Sequence, residues 1–244
     1  MIKLSASKNF NVLAIVPARK GSKGIFLKNI RSLGGIPLLA HSILTAKKSQ
    51  YIDRIVVSTD DKAMRKIATD YGAFAPFLRP KELGGDTVMD FPVVDHCLNW
   101  LKNHEPYEPD IVVYLWPTGA LRRIADVDKA IELLAANPKA DSVRTVRQAP
   151  RSPYKMWRLG KKFMTPFITL KGVKDSHHAP RQSLPKIYQS NPYALVVWNR
   201  ALRKHKSLIG KKVLPLVINR PVVDIDTELD FVAAEWLLTN QPSE

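Results

Sequence analysis

Six short segments rich in β-branched residues recur along the chain: "VLAIVPA" (12–18), "RIVVST" (54–59), "DIVVYLW" (110–116), "DSVRTV" (141–146), "YALVVW" (193–198) and "VLPLVI" (213–218). Several are apolar at nearly every position, which belongs to strands covered on both faces rather than to strands with one wet side. Segments of helical period lie between them. Leu39, Ile43 and Ala46 share a face of the stretch from Ile36 to Lys48, and Val127, Ile131 and Leu134 recur at helical spacing. This alternation predicts an α/β fold, a mostly parallel central sheet enclosed by helices. A chain of 244 residues is long enough for one large domain, or one domain with an insertion, and for a substantial core.

Thr59-Asp60-Asp61 separates a strand from the helical pattern "KAMRKIATDYG", so either aspartate is placed to cap that helix, which should stop at Gly72. The rhythm breaks between residues 148 and 190, where proline and basic residues dominate and periodicity is weak. We read residues 1–147 and 191–244 as the α/β domain and 148–190 as an insertion. Tyr154, Met156, Trp157, Phe163, Phe167 and Ile168 give that insertion apolar surface, which suits a subunit interface or a cap over a cleft.

Composition narrows the setting. Cys97 is the single cysteine and sits in a helix-like context, so no intrachain disulfide forms and a reducing, cytoplasmic compartment is the simplest expectation. No run of about 18 apolar residues and no signal-peptide pattern occurs, which predicts no membrane span. The formal charge of +16 fits either a solvated basic surface or anionic partners. Basic residues are scattered and no nucleic-acid motif is present, so nucleic-acid binding is only a remote alternative.

The loop after the first strand reads "PARKGSKGIFLKN" (17–29). A loop leaving the carboxyl end of a buried strand lies where α/β sheets bind ligands. Gly21 and Gly24 permit close backbone approach, and Arg19, Lys20, Lys23 and Lys28 supply charge-assisted donors for phosphate oxygens. The spacing is neither that of a P-loop nor that of a dinucleotide fingerprint. Further on, "VDIDTELDF" (223–231) places Asp224 and Asp226 on one face of an extended segment. Two hard carboxylates on one face suit Mg²⁺ completed by substrate phosphates; the competing reading has Asp226 capping the following helix, with Thr227 and Asp230 forming a box-like start.

Residues 17–29, in the order P-A-R-x-G-S-K-G-I-x-x-K-N, resemble the signature of the acylneuraminate cytidylyltransferases, which activate sialic acid and related nonulosonates with CTP. "DRIVVSTDD" (53–61), "LRPKELGGDT" (78–87), "PRQSLP" (180–185) and "VDIDTELDF" follow in the family's order, so the resemblance spans essentially the whole chain. It implies a Rossmann-like nucleotidyltransferase domain with an inserted dimerisation segment, and attack of a sugar acid's anomeric hydroxyl on the α-phosphorus of CTP. It implies that Arg19, Ser22, Lys28, Asn29 and Arg79 line the triphosphate and cytidine site, with Asp86 and Thr87 near base and ribose. It favours Asp224 and Asp226 as the Mg²⁺ pair, and a homodimer.

On the acceptor side the pattern breaks. Family members usually carry Q-P-T-S-P-L-R after the central strand, whereas this chain has "WPTGALR" (116–122), with Trp116 in place of glutamine and Thr118 retained. Gln189 stands where arginine is frequent and Pro192 where glycine is common, while Asn191 is kept. Arg181, with Gln182 beside it, resembles a residue that reaches the acceptor, and its fork suits a carboxylate. Trp116 fits either the acceptor pocket or the core. His177 and His178 fit solvated loop residues better than metal ligands. The reading is CMP transfer to a nonulosonic acid of unusual kind; 3-deoxy-manno-octulosonate, a phosphonate or a sugar phosphate are the alternative acceptors.

Overall fold

Strands with no wet face must be covered on both sides, and the chain achieves this by returning a helix after almost every strand. The computed structural model describes residues 10–21 and 24–240. Strand β1 (Val12–Ala18) is followed by a small ribbon, β2 (Ser32–Leu33) and β3 (Ile36–Pro37), and helix α1 (Leu38–Lys47). Then come β4 (Arg54–Thr59), α2 (Lys62–Asp70), α3 (Asp90–His104), β5 (Ile111–Tyr114) and α4 (Ile124–Ala135). The remainder is β6 (Ser142–Gln148), a hairpin of β7 (Trp157–Leu159) and β8 (Met164–Pro166), β9 (Tyr188–Trp198), α5 (Asn199–His205), β10 (Val213–Val217) and α6 (Glu228–Asn240).

The main sheet has the order β10-β6-β9-β5-β1-β4. Neighbours are parallel except β9, which runs antiparallel between β5 and β6. From β1 the chain crosses to β4 at one edge, and from β5 it proceeds towards the other. The loops after β1 and β5 therefore diverge and leave a crevice at the carboxyl ends of these strands, the usual binding position in open α/β sheets.

All six expected strands form, β1 and β4 with the expected ends and the other four with shifted ones. β6 runs on to Gln148 and β9 starts at Tyr188, because Val146, Arg147 and Gln148 pair with Ser190, Gln189 and Tyr188 across a register shift near Arg144. "YQSN" is polar, and its pairing follows from the neighbouring strand rather than from its own pattern. Asp61 is the cap of α2: its Oδ1 accepts from the N–H groups of Ala63 and Met64 at 2.8 and 3.0 Å. Gly72, with φ +87°, closes the turn after that helix. At α6 the cap is Thr227, whose Oγ1 accepts from Asp230 N while Asp230 Oδ2 accepts from Thr227 N at 2.8 Å. Asp226 is thereby spared for another role.

The larger core lies on both faces of the sheet. A smaller apolar cluster joins Ile25 of the first loop, Leu33, Leu38, Ala120, Leu121, Ile225, Phe231 and Ala234. It clasps the loop after β1, the turn after β5 and the segment before α6 together. Within the expected insertion, Gln148 and Tyr188 to Ser190 belong to the main sheet, while residues 149–187 form turns and the β7–β8 hairpin, with Leu159 and Phe163 83% and 74% exposed.

Arg122 anchors the turn after β5. Its guanidinium is buried and donates to the carbonyls of Tyr193 (2.7 Å), Pro192 (3.1 Å) and Trp116, and to Ser42 Oγ (2.6 Å). One side chain thus ties α1, the turn and β9. Losing it leaves several buried acceptors unpaired, at about 1–3 kcal/mol each before relaxation. Arg122→Met is expected to lower unfolding stability by about 3 kcal/mol or more, read as a lower urea midpoint at unchanged slope.

Candidate active site

The crevice between the loops after β1 and β5 opens into a cavity of about 490 Å³. Arg19, Lys28, Asn29, Arg79, Asp86, Trp116, Thr118, Asn191, Asp224 and Asp226 all line it, although they come from seven separate stretches of the sequence. Thr87 is exposed on the turn before α3 and does not line it. Gln189 is exposed on β9 opposite Arg147. Arg181 and Gln182 line a separate recess with Gln148 and Ser152. Within one chain, the structure therefore does not bring Arg181, Gln182 or Gln189 to the cavity. Ser22 and Lys23 lie outside the described residues.

One end of the cavity is built for anions. Asn29 is buried and donates to the carbonyl of Arg19 at 2.9 Å, fixing the start of the loop. Arg19 forms an ion pair with Asp86 at 2.5 Å, with both side chains more than a third exposed. Such a solvated pair exchanges for a stronger anion at little cost. Arg79 is the opposite case: 5% exposed, with Nε and Nη2 lacking any hydrogen-bond partner and Asp60 standing off at 3.8 Å. Burial lowers its pKa and the Asp60 charge opposes that shift. A buried guanidinium with unused N–H groups facing a cavity is prepared for phosphate oxygens.

The carboxylate pair sits at the middle. Ile225 is fully buried in the small core, and strand-like alternation turns Asp224 and Asp226 outward into the cavity. Lys28, its side chain 11% exposed, donates from Nζ to Asp226 Oδ1 at 2.8 Å and to the Ile225 carbonyl at 2.6 Å. Gly24 packs so closely that a Cβ there would lie 2.0 Å from the Asp226 carbonyl oxygen. The basic loop and the acidic segment are thus built as one unit.

Asp224 is exposed on the cavity side, so the cavity walls desolvate it only in part. Its carboxyl is held above the usual range mainly by burial, with the Asp226 charge adding to the rise and the Thr118 hydroxyl opposing it. A pair of carboxylates, one of them kept reluctant to ionise partly by its neighbour, fits a hard divalent cation completed by phosphate oxygens. Among the described residues no cluster of three or more potential metal ligands occurs, so such an ion would need oxygens from a bound substrate.

The other end holds Trp116, half-buried, its ring edge-on to Tyr114 at 4.8 Å. Tyr114 donates its hydroxyl to Asp90 at 2.8 Å. Arg144 of β6 also lines the cavity, its guanidinium 4.3 Å from the centroid of Trp116. The sequence reading missed Arg144, Asp90 and Tyr114; β6 carries both Arg144 and Arg147, and nothing in its sequence sets Arg144 apart as the one that lines the cavity. His177 packs edge-on against Trp157 at 4.7 Å with His178 beside it, and it is half-buried with its Nδ1 enclosed, rather than solvated as the sequence reading expected.

Residues 13–157 match the family described as Cytidylyltransferase. The chain is 32% identical to a post-translational flagellin modification protein B of Campylobacter coli, covering 93% of this chain and 94% of that protein. It is 30% identical to a CMP-N,N'-diacetyllegionaminic acid synthase of Legionella pneumophila, covering 93% and 96% respectively. In fold it resembles a CMP:2-keto-3-deoxy-manno-octonic acid synthetase complexed with CTP, at a TM-score of 0.67 and 14% identity, over 95% of this chain and 100% of that one.

The raised Asp224 pKa carries a stability signature. Above that pKa the folded state bears the cost of a crowded carboxylate; as pH falls through it, the folded state takes up a proton before the unfolded chain does and stability rises. Solvent reaching the cavity screens the repulsion and limits the cost. Asp224→Asn is expected to gain up to about 1 kcal/mol at neutral pH, or about 2–4 °C in Tm, and to lose the wild type's gain on mild acidification. Differential scanning calorimetry of both proteins across pH 4 to 8 (a range of about four units around carboxylate values) reads this directly.

Proposed function

The chain belongs to the cytidylyltransferase family, and on that premise we propose that it transfers CMP from CTP to the anomeric hydroxyl of a nonulosonic acid, releasing pyrophosphate. The observation that carries this reading is the junction of Lys28 with Asp226 at 2.8 Å, which brings the basic phosphate loop and the acidic pair into one cavity. The similarity to a CMP-N,N'-diacetyllegionaminic acid synthase across almost the full chain supports the acceptor class.

In this reading, Arg19, Lys28, Asn29 and Arg79 bind the triphosphate, with Ser22 and Lys23 of the same loop beside them. Asp86 contacts base and ribose from the cavity wall, which Thr87 does not line. Mg²⁺ held by Asp224 and Asp226 would supply neutralisation of phosphate charge. The acceptor oxygen bonds to the α-phosphorus while the bond from that phosphorus to the bridging oxygen breaks, and its electron pair leaves with pyrophosphate. Asp224 orients the attacking hydroxyl, whose proton passes through a neighbouring water to solvent. Arg79 and Lys28 offset the charge that grows on the leaving group, a contact of a kind worth about 2.7–4 kcal/mol when removed.

Segment 148–190 is proposed to pair two copies of the chain. Support comes from Leu159, Phe163, Met164 and Phe167, all more than half exposed on or beside the β7–β8 hairpin. Arg181 and Gln182, outside their own chain's cavity, would then be available to a second copy. A cytoplasmic setting accords with Cys97, buried and with its thiol pushed up to about 12 by burial, hence inert. Among the described residues no helix is long and apolar enough to cross a membrane.

The direct test supplies CTP, Mg²⁺ and a panel of acceptors: N,N'-diacetyllegionaminic, pseudaminic, N-acetylneuraminic and 3-deoxy-manno-octulosonic acids, a phosphonate and a sugar phosphate. Pyrophosphate release with a nonulosonic acid is expected; release only with the octulosonate, phosphonate or sugar phosphate would overturn the acceptor assignment, and none at all the whole reading. Asp226→Asn should lower turnover by about 10²-fold or more with no loss of melting temperature, since it removes a charge from the phosphate site and no helix cap. Replacing Leu159 and Phe163 together by Asp is expected to give monomers in sedimentation velocity; persistent dimers would move the interface elsewhere.

A further inference from the structure

Arg144 is unlike the other basic residues of the cavity. It stands on β6, and β9 and β5 separate it from β1, so at about 4.8 Å per strand it starts roughly 14 Å from the loop proposed to hold the triphosphate. Its guanidinium lies against the face of Trp116, 4.3 Å from the ring centroid. Among the described residues it accepts no ion-pair partner within 4.0 Å and makes no hydrogen bond, and its Nε is buried. Asp90 and Asp224 raise its pKa against the lowering by burial, so both carboxylates face it from a distance. Asp90 is already engaged by the Tyr114 hydroxyl at 2.8 Å.

A second unused donor shares that wall. Asn191 is 3% exposed; its Oδ1 accepts from Thr145 Oγ1 at 2.7 Å and from Tyr193 N at 3.1 Å, which fixes the amide and leaves Nδ2 without a partner. Both residues line the cavity beyond the acidic pair. A buried amide donor and a stacked guanidinium with free N–H groups form a built site for a planar anion.

We propose that Arg144, mounted on Trp116, is the residue that grips the carboxylate of the acceptor acid in its own chain, with the Asn191 amide as a second donor. The inference rests on the acid-transfer reading above and adds to it a specificity residue that the family pattern does not supply. Stacking covers one face of the guanidinium and leaves its N–H edge for a bidentate carboxylate. In the ring form of a 2-keto sugar acid, carboxylate and anomeric hydroxyl are attached to the same carbon. Holding the carboxylate therefore aims the hydroxyl towards the Asp224 side of the cavity, where the α-phosphorus is proposed to lie. Tryptophan in place of glutamine then has a physical role: it gives up a hydrogen-bonding side chain and installs a platform for a cation.

The experiment compares wild type, Arg144→Gln, Arg144→Lys and Trp116→Leu, using the best acid from the panel and its C1 carboxamide. Arg144→Gln should raise the acceptor KM about tenfold or more, leave the CTP KM within about twofold, and abolish the preference for acid over amide. Arg144→Lys should fall between, retaining charge without the fork. Trp116→Leu should weaken acid binding while Arg144 is still present. Circular dichroism melts identify any variant that fails to fold, and the lysine variant then carries the comparison. An unchanged acceptor KM, an equal rise for CTP, or an undiminished acid preference in Arg144→Gln overturns the proposal. A wild type silent with every acid overturns the function itself, so the two failures are distinct.

Discussion

The approach of Gly24 to the backbone of Asp226 is the contact on which the site depends. No side chain fits there, since a Cβ would meet the carbonyl oxygen at 2.0 Å. Ile25 and Ile225, the residues next to these two, are both buried in the same small cluster. Apolar burial thus draws together two segments, one basic and one acidic, separated by some two hundred positions of sequence. Lys28 then closes the joint by donating to the Ile225 carbonyl and the Asp226 carboxylate. Charge alone would hold these segments weakly at the surface. The hydrophobic clasp makes their geometry independent of the ions that pass through it.

Several of the polar groups that the protein leaves unpaired face the cavity, where a ligand is proposed to use them. Arg122 and Arg79 are both buried arginines, yet Arg122 spends its donors on backbone carbonyls and a hydroxyl, whereas Arg79 keeps Nε and Nη2 free at the cavity. The first is a structural tie and the second a receptor. Unsatisfied buried donors cost stability, so their persistence at one wall marks a place where function and folding compete. Asp224 shows the same competition with the opposite sign of charge.

Much of this was legible in the sequence. Apolar, β-branched segments identified all six strands of the main sheet; β1 and β5 are covered on both faces as expected, whereas "VLPLVI", equally apolar, forms the edge strand β10, three of whose five residues are exposed. The alternation at Asp224, Ile225 and Asp226 gave the shared face of the two carboxylates, and it survives intact. What was hidden depends on neighbours. The polar start of β9 pairs because β6 continues beside it. Asp61 rather than Asp60 caps α2, a choice made by the reach of one carboxylate to the first free N–H groups, while Asp60 turns to Lys20 N at 2.8 Å. Arg144 was passed over since a single arginine in "DSVRTV" carries no periodic signal; only the fold shows that Trp116, nearly thirty residues earlier, lies under it. The placement of Arg181 and Gln182 outside their own cavity is likewise a matter of three-dimensional path.

Two of the departures from the family pattern meet in space. A Cβ on Gly119 would fall 2.5 Å from the carbonyl oxygen of Pro192, so glycine there lets the turn after β5 rest directly on β9. Arg122 bridges the same contact, donating to the carbonyls of both Pro192 and Trp116. The backbone that carries Trp116 is therefore fixed from below by a close approach and a buried arginine. Its ring, held edge-on by Tyr114, has one face turned to Arg144. Changes at positions 116, 119 and 192 act on this single stack, which runs from the turn after β5 across β9 to Arg144 on β6, away from the basic loop after β1. That direction explains how the proposed acceptor wall can diverge while the proposed nucleotide loop keeps its pattern: the altered positions pack towards β9 and β6, while the small apolar cluster holds the loop after β1 and the turn after β5 together beside Asp224 and Asp226.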